Sequence, residues 1–255
     1  MSILAAFDLN GKKAIVTGGG RGLGKGMAEG LCEAGAEVVL IGSSDSVVRT
    51  AEEFKQKGYK AHGVKGNLLD KQAVPQIFAA ALDKLGGTVD ILVNNAGIIK
   101  RHKSEEYPLS DWEDVIGLNL NTAFMMCQLA GRQMLSQGYG KIINVASMLS
   151  FFGGYTVPAY SASKGGIAQL TKALANEWSS KHVHVNAIAP GYMATDMNTA
   201  LVNDEKRNKE ILDRIPIGRW GTAEDVKGLT VFLASSASDY VNGAVIPVDG
   251  GYLAR

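Results

Sequence analysis

Tyr160 and Lys164 stand four residues apart in the run Tyr160-Ser161-Ala162-Ser163-Lys164, and Ser147 lies thirteen residues upstream. On a helix, a spacing of four brings two side chains to one face. A free tyrosine has a pKa near 10 and is a poor base at neutral pH. A nearby ammonium stabilises the phenolate, as does a cationic ring. Lowering that pKa by about three units takes roughly 4 kcal/mol, which one close, partly desolvated charge with hydrogen bonds can supply. A serine hydroxyl opposite the tyrosine can hold a substrate oxygen. The three together suit hydride chemistry on an alcohol or ketone, because the oxygen must lose or gain a proton as the carbon exchanges hydride. The Tyr-x-x-x-Lys spacing alone also fits an ordinary helix start, so its meaning depends on motifs elsewhere in the chain.

The elements that must position these residues alternate along the whole length. Lys13–Thr17, Glu37–Ile41, Lys60–Val64, Asp90–Asn94, Lys141–Ala146, His182–Ala187 and Ala244–Val248 read as strands. Helical patterns lie between them. One covers Leu23 to Ala34 and stops at Gly35. Another starts near Ser110, where Ser110 and Glu113 have capping-box spacing. A third carries Ile167, Leu170, Leu174 and Trp178 on one face. Thr222 and Asp225 open a later helix in the same manner as Ser110 and Glu113. This alternation predicts an α/β fold, a single doubly wound parallel sheet of about seven strands with helices on both faces. No linker, repeat or charge block divides the chain, so residues 1–255 read as one domain. Its ligand belongs beyond the carboxyl ends of the strands.

The strand ends carry the remaining motifs. The first strand runs into Gly18-Gly19-Gly20-Arg21-Gly22-Leu23-Gly24 and then a helix. Glycines let backbone turn tightly against a pyrophosphate, and a helix N-terminus offers free N–H groups. Gly19-x-x-x-x-Gly24-Lys25 nearly spells a triphosphate P-loop, but Gly26 stands where a Ser or Thr should hold magnesium. That argues against a nucleotide hydrolase. Gly18-x-x-x-Gly22-x-Gly24 is instead a wide dinucleotide spacing. The fourth strand closes with Asn94-Asn95-Ala96-Gly97, the fifth with Ala146-Ser147, and the sixth leads to Pro190-Gly191-Tyr192-Met193-Ala194-Thr195. A phosphate-only site needs none of these, whereas an extended dinucleotide would touch them all.

Composition excludes other classes. Lys+Arg 26 against Asp+Glu 25 leaves a net charge of +1, so the surface has no general pull towards nucleic acid or anionic membrane. With 46% hydrophobic residues the chain is too apolar to be disordered. Glycine is in excess, at 31 residues; average usage would give roughly 18. Cys32 and Cys127 lack a CxxC partner and read as reduced core thiols. His182 and His184 alternate on one strand without a third ligand nearby, so they read as strand-surface histidines and no metal site is expected. The N-terminus lacks the basic region of a signal peptide, and no run approaches the length of a membrane span. A cytoplasmic protein is expected.

Taken together, TGGGRGLG (Thr17–Gly24), NNAG (Asn94–Gly97), Asn119, Ser147, Tyr160 with Lys164, and Pro190-Gly191 resemble the short-chain dehydrogenase/reductase family over almost the whole chain. The resemblance implies a Rossmann-type domain, an NAD(P)-dependent oxidoreductase, and a homotetramer or dimer, the homotetramer first. It implies Tyr160 as general acid/base, Lys164 on the nicotinamide ribose and depressing the Tyr160 pKa, Ser147 orienting substrate, and Asn119 holding a relay water. Gly18, Arg21, Gly22, Leu23 and Gly24 would meet the pyrophosphate and adenosine. Asn94, Ala96 and Gly97 would flank the adenosine side, with Asn67 and Leu68 beside the adenine. Pro190, Gly191, Met193 and Thr195 would meet the nicotinamide end.

ASMLSFFGG (Ala146–Gly154), NAIAPGYMAT (Asn186–Thr195), ILDRIPIGRWG (Ile211–Gly221), FLASSASDYVNG (Phe232–Gly243) and the terminal VDGGYLAR resemble one branch of that family, which acts on deoxy-keto sugar acids. NNAGIIKR (Asn94–Arg101) is also similar to the gluconate 5-dehydrogenases, the alternative within the family; another short-chain carbonyl reductase, or a non-catalytic dinucleotide-binding regulator, are further alternatives. An acid substrate calls for a cation. Lys100, Arg101, His102, Arg219 and Arg255 are the candidates, with Arg101 and Arg219 preferred. Met148, Leu149, Phe151, Phe152, Tyr155, Met193 and Trp220 are expected to wall the substrate pocket, Met148 and Met193 foremost. After the second strand the stretch is Ile41-Gly42-Ser43-Ser44-Asp45, without the ribose-binding acid usual in NAD-preferring members. Arg21 could favour a 2′-phosphate, and Gly42 and Ser43 would leave room for one. The branch resemblance implies NAD, and the local chemistry also permits NADP.

Overall fold

A computed structural model describes residues 2–255, the side chains of residues 197 and 200 apart. The apolar runs form β1 (Lys13–Thr17), β2 (Glu37–Gly42), β3 (Ala61–Lys65), β4 (Ile91–Asn94), β5 (Gly140–Val145), β6 (Val183–Pro190) and β7 (Val245–Val248). They pair in parallel as one seven-stranded sheet in the order β3-β2-β1-β4-β5-β6-β7. The chain reverses its direction of travel across the sheet between β1 and β4, where Val16 lies between Leu40 and Val93. A crevice opens at such a switch point because the helices that follow the two central strands cover opposite faces.

The helices are α1 (Gly22–Glu33), α2 (Ser46–Gln56), α3 (Val74–Lys84), α4 (Leu109–Ile116), α5 (Ala123–Gln137), α6 (Pro158–Trp178), α7 (Thr199–Asn203), α8 (Glu205–Leu212) and α9 (Glu224–Ala234). A six-residue π-helical segment, Gly117–Thr122, joins α4 to α5. Successive strand residues feed opposite cores. Ala14, Val16, Val38, Leu40, Ile91 and Val93 pack with Met27, Leu31 and Val226 on one face. Ile15, Val39, Ile41, Leu92 and Ile142 pack with Phe78, Met126 and Met134 on the other. Both faces of each central strand are therefore buried, which is why the runs are apolar without alternation. Glycine in α1 has a packing use that its sequence does not announce: a Cβ at Gly26 would lie 2.7 Å from Ala223 Cβ, and one at Gly30 would lie 3.1 Å from Lys227 Cβ, so α1 and α9 approach closely.

Three local expectations need correction. Ser110 does not cap: α4 begins at Leu109 after Pro108, with no side-chain capping bond. At α9 the Asp225 carboxylate accepts from the Thr222 N–H at 2.7 Å, but the helix itself starts at Glu224. His182 precedes β6 with φ 58°, while His184 lies inside the strand and is buried, so the two are not strand neighbours on one exposed face. No helix among the described residues is long and apolar enough to cross a membrane.

Candidate active site

The turn between β1 and α1 is laced to the end of β4. Thr17 Oγ1 accepts from the backbone N–H groups of Asn95 and Ala96, each at 3.0 Å. Asn95 Nδ2 donates back to the carbonyls of Thr17 at 3.0 Å and Gly18 at 3.2 Å. Gly18 has φ +66°, and a Cβ at Gly24 would press on the Gly18 carbonyl and the Asn95 amide. At Gly24 only a residue without a Cβ lets the turn close against Gly18 and Asn95. α1 starts from Arg21 in extended conformation with no side-chain cap and no acid in its first turn. Its free N–H groups and dipole face an open cleft of about 720 Å³. The size and the anion-binding end both fit a dinucleotide with room for a small substrate.

Deeper in the cleft, Ser147, Tyr160 and Lys164 meet. Pro158 at the first position of α6 sets its start, and Tyr160 and Lys164 follow one turn apart. Lys164 Nζ donates to the Val145 carbonyl at 2.5 Å and lies 5.6 Å from the centre of the Tyr160 ring. Ser147 Oγ accepts from the Leu149 N–H at 3.1 Å, which leaves its own proton to donate. Ser150 ties the two elements together: its Oγ accepts from the Ser147 N–H at 3.3 Å and donates to the Lys164 carbonyl at 2.7 Å. Burial raises the Tyr160 pKa, against the hydrogen bond with Ser147 and the charge of Arg101, which lower it. Burial also depresses Lys164, from 10.5 to about 8. On balance desolvation leaves the Tyr160 pKa above its ordinary value in the ligand-free protein, while Lys164 stands where its charge favours the phenolate.

Asn119 sits in the π-helical segment behind these groups and is 1% exposed. Its Oδ1 accepts from the Ile98 N–H at 2.9 Å, and its Nδ2 donates to the Ile98 carbonyl at 2.9 Å and to Ser163 Oγ at 3.1 Å. Both amide hydrogens and one lone pair of the side-chain oxygen are thus partnered within the protein, so a relay water there would have to donate to an oxygen of Asn119.

The candidate cations sort by partner. Lys100 Nζ donates to Asp111 Oδ1 at 2.7 Å and Asp114 Oδ2 at 2.6 Å, and both bonds raise its pKa. His102 Nε2 meets Asp111 Oδ2 at 2.6 Å. Arg219 makes a two-pronged pair with Asp225, at 2.8 and 2.6 Å, and holds that carboxyl well below its usual range. Arg255 donates to the Asp213 carbonyl. Arg101 lines the cleft and has no carboxylate partner among the described residues.

Residues 12–206 match the short chain dehydrogenase family. The chain is 49% identical to a 2-dehydro-3-deoxy-D-gluconate 5-dehydrogenase of Bacillus subtilis, over 98% of each protein. It is 50% identical to the enzyme of that name from Escherichia coli, over 99% of this chain and 100% of that one. A solved gluconate 5-dehydrogenase from Burkholderia cenocepacia, in complex with NADP and tartrate, superposes with a TM-score of 0.95 at 36% identity and full coverage of both chains. This chain belongs to the short-chain dehydrogenase family. It is an oxidoreductase acting on CH–OH groups.

In this short-chain dehydrogenase, most residues singled out from sequence line one cleft. Gly18, Arg21, Gly22, Leu23 and Gly24 line its phosphate end, and Ser43, Asn67 and Leu68 the end beyond β2. Ala96 and Gly97 lie at its middle, and Pro190, Gly191, Met193 and Thr195 follow β6. Asn94 does not line it. Its Nδ2 donates to Asn144 Oδ1 at 3.0 Å and contacts Cys127 Sγ at 3.1 Å, so it braces β4 against β5 and α5. Met148 is also displaced, packing with Ile211, Ile215 and Tyr252 behind the loop after β5. Tyr155 is 94% exposed, and Phe151 and Phe152 face outward as well; of the expected wall residues Met193 alone borders the cleft, among the described residues. Arg219 lies outside the cleft, on Asp225. Asp45, the acid nearest the β2 end, pairs with Lys65 at 2.9 Å and does not face the cleft. Asn95 and Ser150 are not expected individually from the sequence. The doubled asparagine of the motif marks the first, but no local signal marks the second.

Proposed function

We propose that the chain interconverts a secondary alcohol and a ketone on a sugar acid with NAD or NADP, and that 2-dehydro-3-deoxy-D-gluconate is the substrate. Arg101 carries this reading. Its guanidinium shares the cleft with Tyr160, bears on the charge of the Tyr160 hydroxyl, and is without a carboxylate partner among the described residues. A sugar-acid carboxylate supplies that partner, and a guanidinium binds one bidentately. The names of the B. subtilis and E. coli relatives support this acid, and the likeness to gluconate 5-dehydrogenase supports gluconate as the alternative substrate. A regulator that only binds dinucleotide would have no use for Ser147, Tyr160 and Lys164 at one point.

The glycine turn and the α1 N-terminus would hold the pyrophosphate, Ser43, Asn67 and Leu68 the adenosine, and Lys164 with Pro190–Thr195 the nicotinamide half. A bound nicotinamide supplies the hydride acceptor in oxidation and the donor in reduction. In oxidation Tyr160 would take the proton of the substrate hydroxyl as the phenolate, a form that the Lys164 ammonium and a bound nicotinamide cation favour; in reduction the phenol returns that proton to the carbonyl oxygen. Ser147 donates to the same oxygen and holds it opposite Tyr160. Lys164 keeps a cation beside the tyrosine, and Asn119 fixes the Ile98 backbone against α6 through Ser163. Gly42 and Ser43, with no acid turned into that end, leave space for either a ribose hydroxyl or a 2′-phosphate.

We further propose that residues 1–255 act as one domain of a cytoplasmic homotetramer. Exposed Leu109, Trp112 and Phe124 around α4 and α5 support association. Light scattering on the purified protein tests the assembly. The activity is tested by following reduced-nicotinamide absorbance with 2-dehydro-3-deoxy-D-gluconate and with gluconate, each with NAD and with NADP. Turnover of 2-dehydro-3-deoxy-D-gluconate well above that of gluconate is expected; the reverse order assigns gluconate, and no turnover of either defeats the proposal.

A further inference from the structure

Arg101 lies in a stretch with neither helix nor strand, Ile98–Lys103. A long side chain on an irregular segment loses much of its binding energy to being ordered, unless the segment is fixed beforehand. The residues on either side of Arg101 are fixed, and by one carboxylate. Asp111 on α4 accepts from Lys100 Nζ through Oδ1 at 2.7 Å and from His102 Nε2 through Oδ2 at 2.6 Å. An ionised carboxylate only accepts, so His102 Nε2 carries the proton. Asp114, one turn along α4, holds Lys100 as well. Tyr107 completes the clamp: its hydroxyl donates to the Lys100 carbonyl at 3.1 Å, and its ring meets His102 edge-on at 5.1 Å.

The clamp also reaches the catalytic helix. The His102 N–H donates to the Thr156 carbonyl at 3.0 Å. Thr156 has φ 60°, a left-handed conformation that costs a β-branched residue energy and persists only where its surroundings enforce it. Two residues later α6 begins, carrying Tyr160. The side chains of residues 100 and 102 thus go to α4, while the side chain between them goes into the cleft.

We propose that Asp111 is a positioning residue for substrate binding: by holding Lys100 and His102 at once, it aims the Arg101 guanidinium at the substrate carboxylate. This rests on the reading that Arg101 binds that carboxylate, and the experiment separates the two. The full-length enzyme is assayed with 2-dehydro-3-deoxy-D-gluconate and with its methyl ester, which lacks the charge. Asp111→Asn keeps the size but cannot accept from both neighbours. It is expected to raise KM for the acid about tenfold, with kcat changed less than about twofold and the ester unaffected. In an Arg101→Ala background, Asp111→Asn should add nothing further, because the residue acts only through Arg101.

Independent losses in the double variant, or equal losses on acid and ester, would overturn the proposal and leave Asp111 a merely structural residue. An Arg101→Ala variant with unchanged KM for the acid defeats the carboxylate reading itself, in that arm alone. Should Asp111→Asn fail to fold, the double variant Lys100→Gln/His102→Gln removes the same clamp from the loop side. It must show the same acid-selective rise in KM, and a wild-type KM there overturns the proposal.

Discussion

The two ends of the cleft are built from different materials. At the dinucleotide end, backbone does the recognition: a glycine turn, a bare helix N-terminus and small residues at strand ends, held by Thr17 and Asn95. At the substrate end, a side chain on an irregular segment faces the ligand, and ion pairs outside the cleft decide where that segment lies. Strand ends are fixed by the sheet, so the first end follows once the strands are known. The second end depends on which acid each cation meets, which is a matter of tertiary structure.

The largest effect belongs at the point where the two ends join. Tyr160→Phe should lower kcat by about a thousandfold or more, since a positioned proton donor or acceptor is lost. Cofactor affinity, measured by fluorescence titration, should stay unchanged; loss of both together would mean that Tyr160 belongs to the dinucleotide end instead.

Lys164 sharpens the contrast through pH. Its folded pKa is about 8, below the ordinary 10.5, so at neutral pH the ligand-free protein buries a cation against its preference. Below about pH 8 the penalty is full, because folded and unfolded chains both bind the proton. Between about 8 and 10.5 the folded chain has released it while the unfolded chain has not, so the penalty fades as pH rises. Lys164→Met should therefore stabilise the ligand-free protein at neutral pH, by on the order of 3 kcal/mol before the lost Val145 hydrogen bond is subtracted. That gain should vanish towards pH 10.5, and activity should be abolished. Denaturant melts across pH check this, and a gain independent of pH would contradict it.

Gly24→Ala probes the backbone end alone. Its Cβ would press on the Gly18 carbonyl, which has nowhere to move while Asn95 holds it. A stability loss of about 1–3 kcal/mol, read by denaturant melts, is expected with weakened dinucleotide binding. An unaltered affinity would mean that the turn is not where the pyrophosphate sits.

The same division explains what is legible in the sequence. The central strands are readable because both faces are buried, and the main discrepancy is β6, which continues to Pro190 because β7 pairs with its last residues. Ser147, Tyr160, Lys164 and the glycine turn are readable because each follows a strand or opens a helix. Asn94 is misplaced because an amide at a strand end can face a ligand or a neighbouring strand, and Asn144 and Cys127 decide in favour of the strand. Met148 is misplaced because the capped turn formed by Ser147 and Ser150 sends it towards Tyr252. Five cations are candidates along the chain, Arg101 and Arg219 first, and only Asp111, Asp114, Asp225 and the Asp213 carbonyl separate Arg101 from the others.

The role of Arg101 is tested most directly by its selectivity for a charged substrate. The ratio of kcat/KM for 2-dehydro-3-deoxy-D-gluconate to that for its methyl ester should be measured in the wild-type enzyme, in Arg101→Ala and in Arg219→Ala. Arg101→Ala should collapse the ratio by about ten- to a hundredfold through the acid alone, as expected for one lost charge-assisted contact. Arg219→Ala should leave it at the wild-type value. A ratio unchanged in Arg101→Ala, or collapsed in Arg219→Ala, would contradict the account.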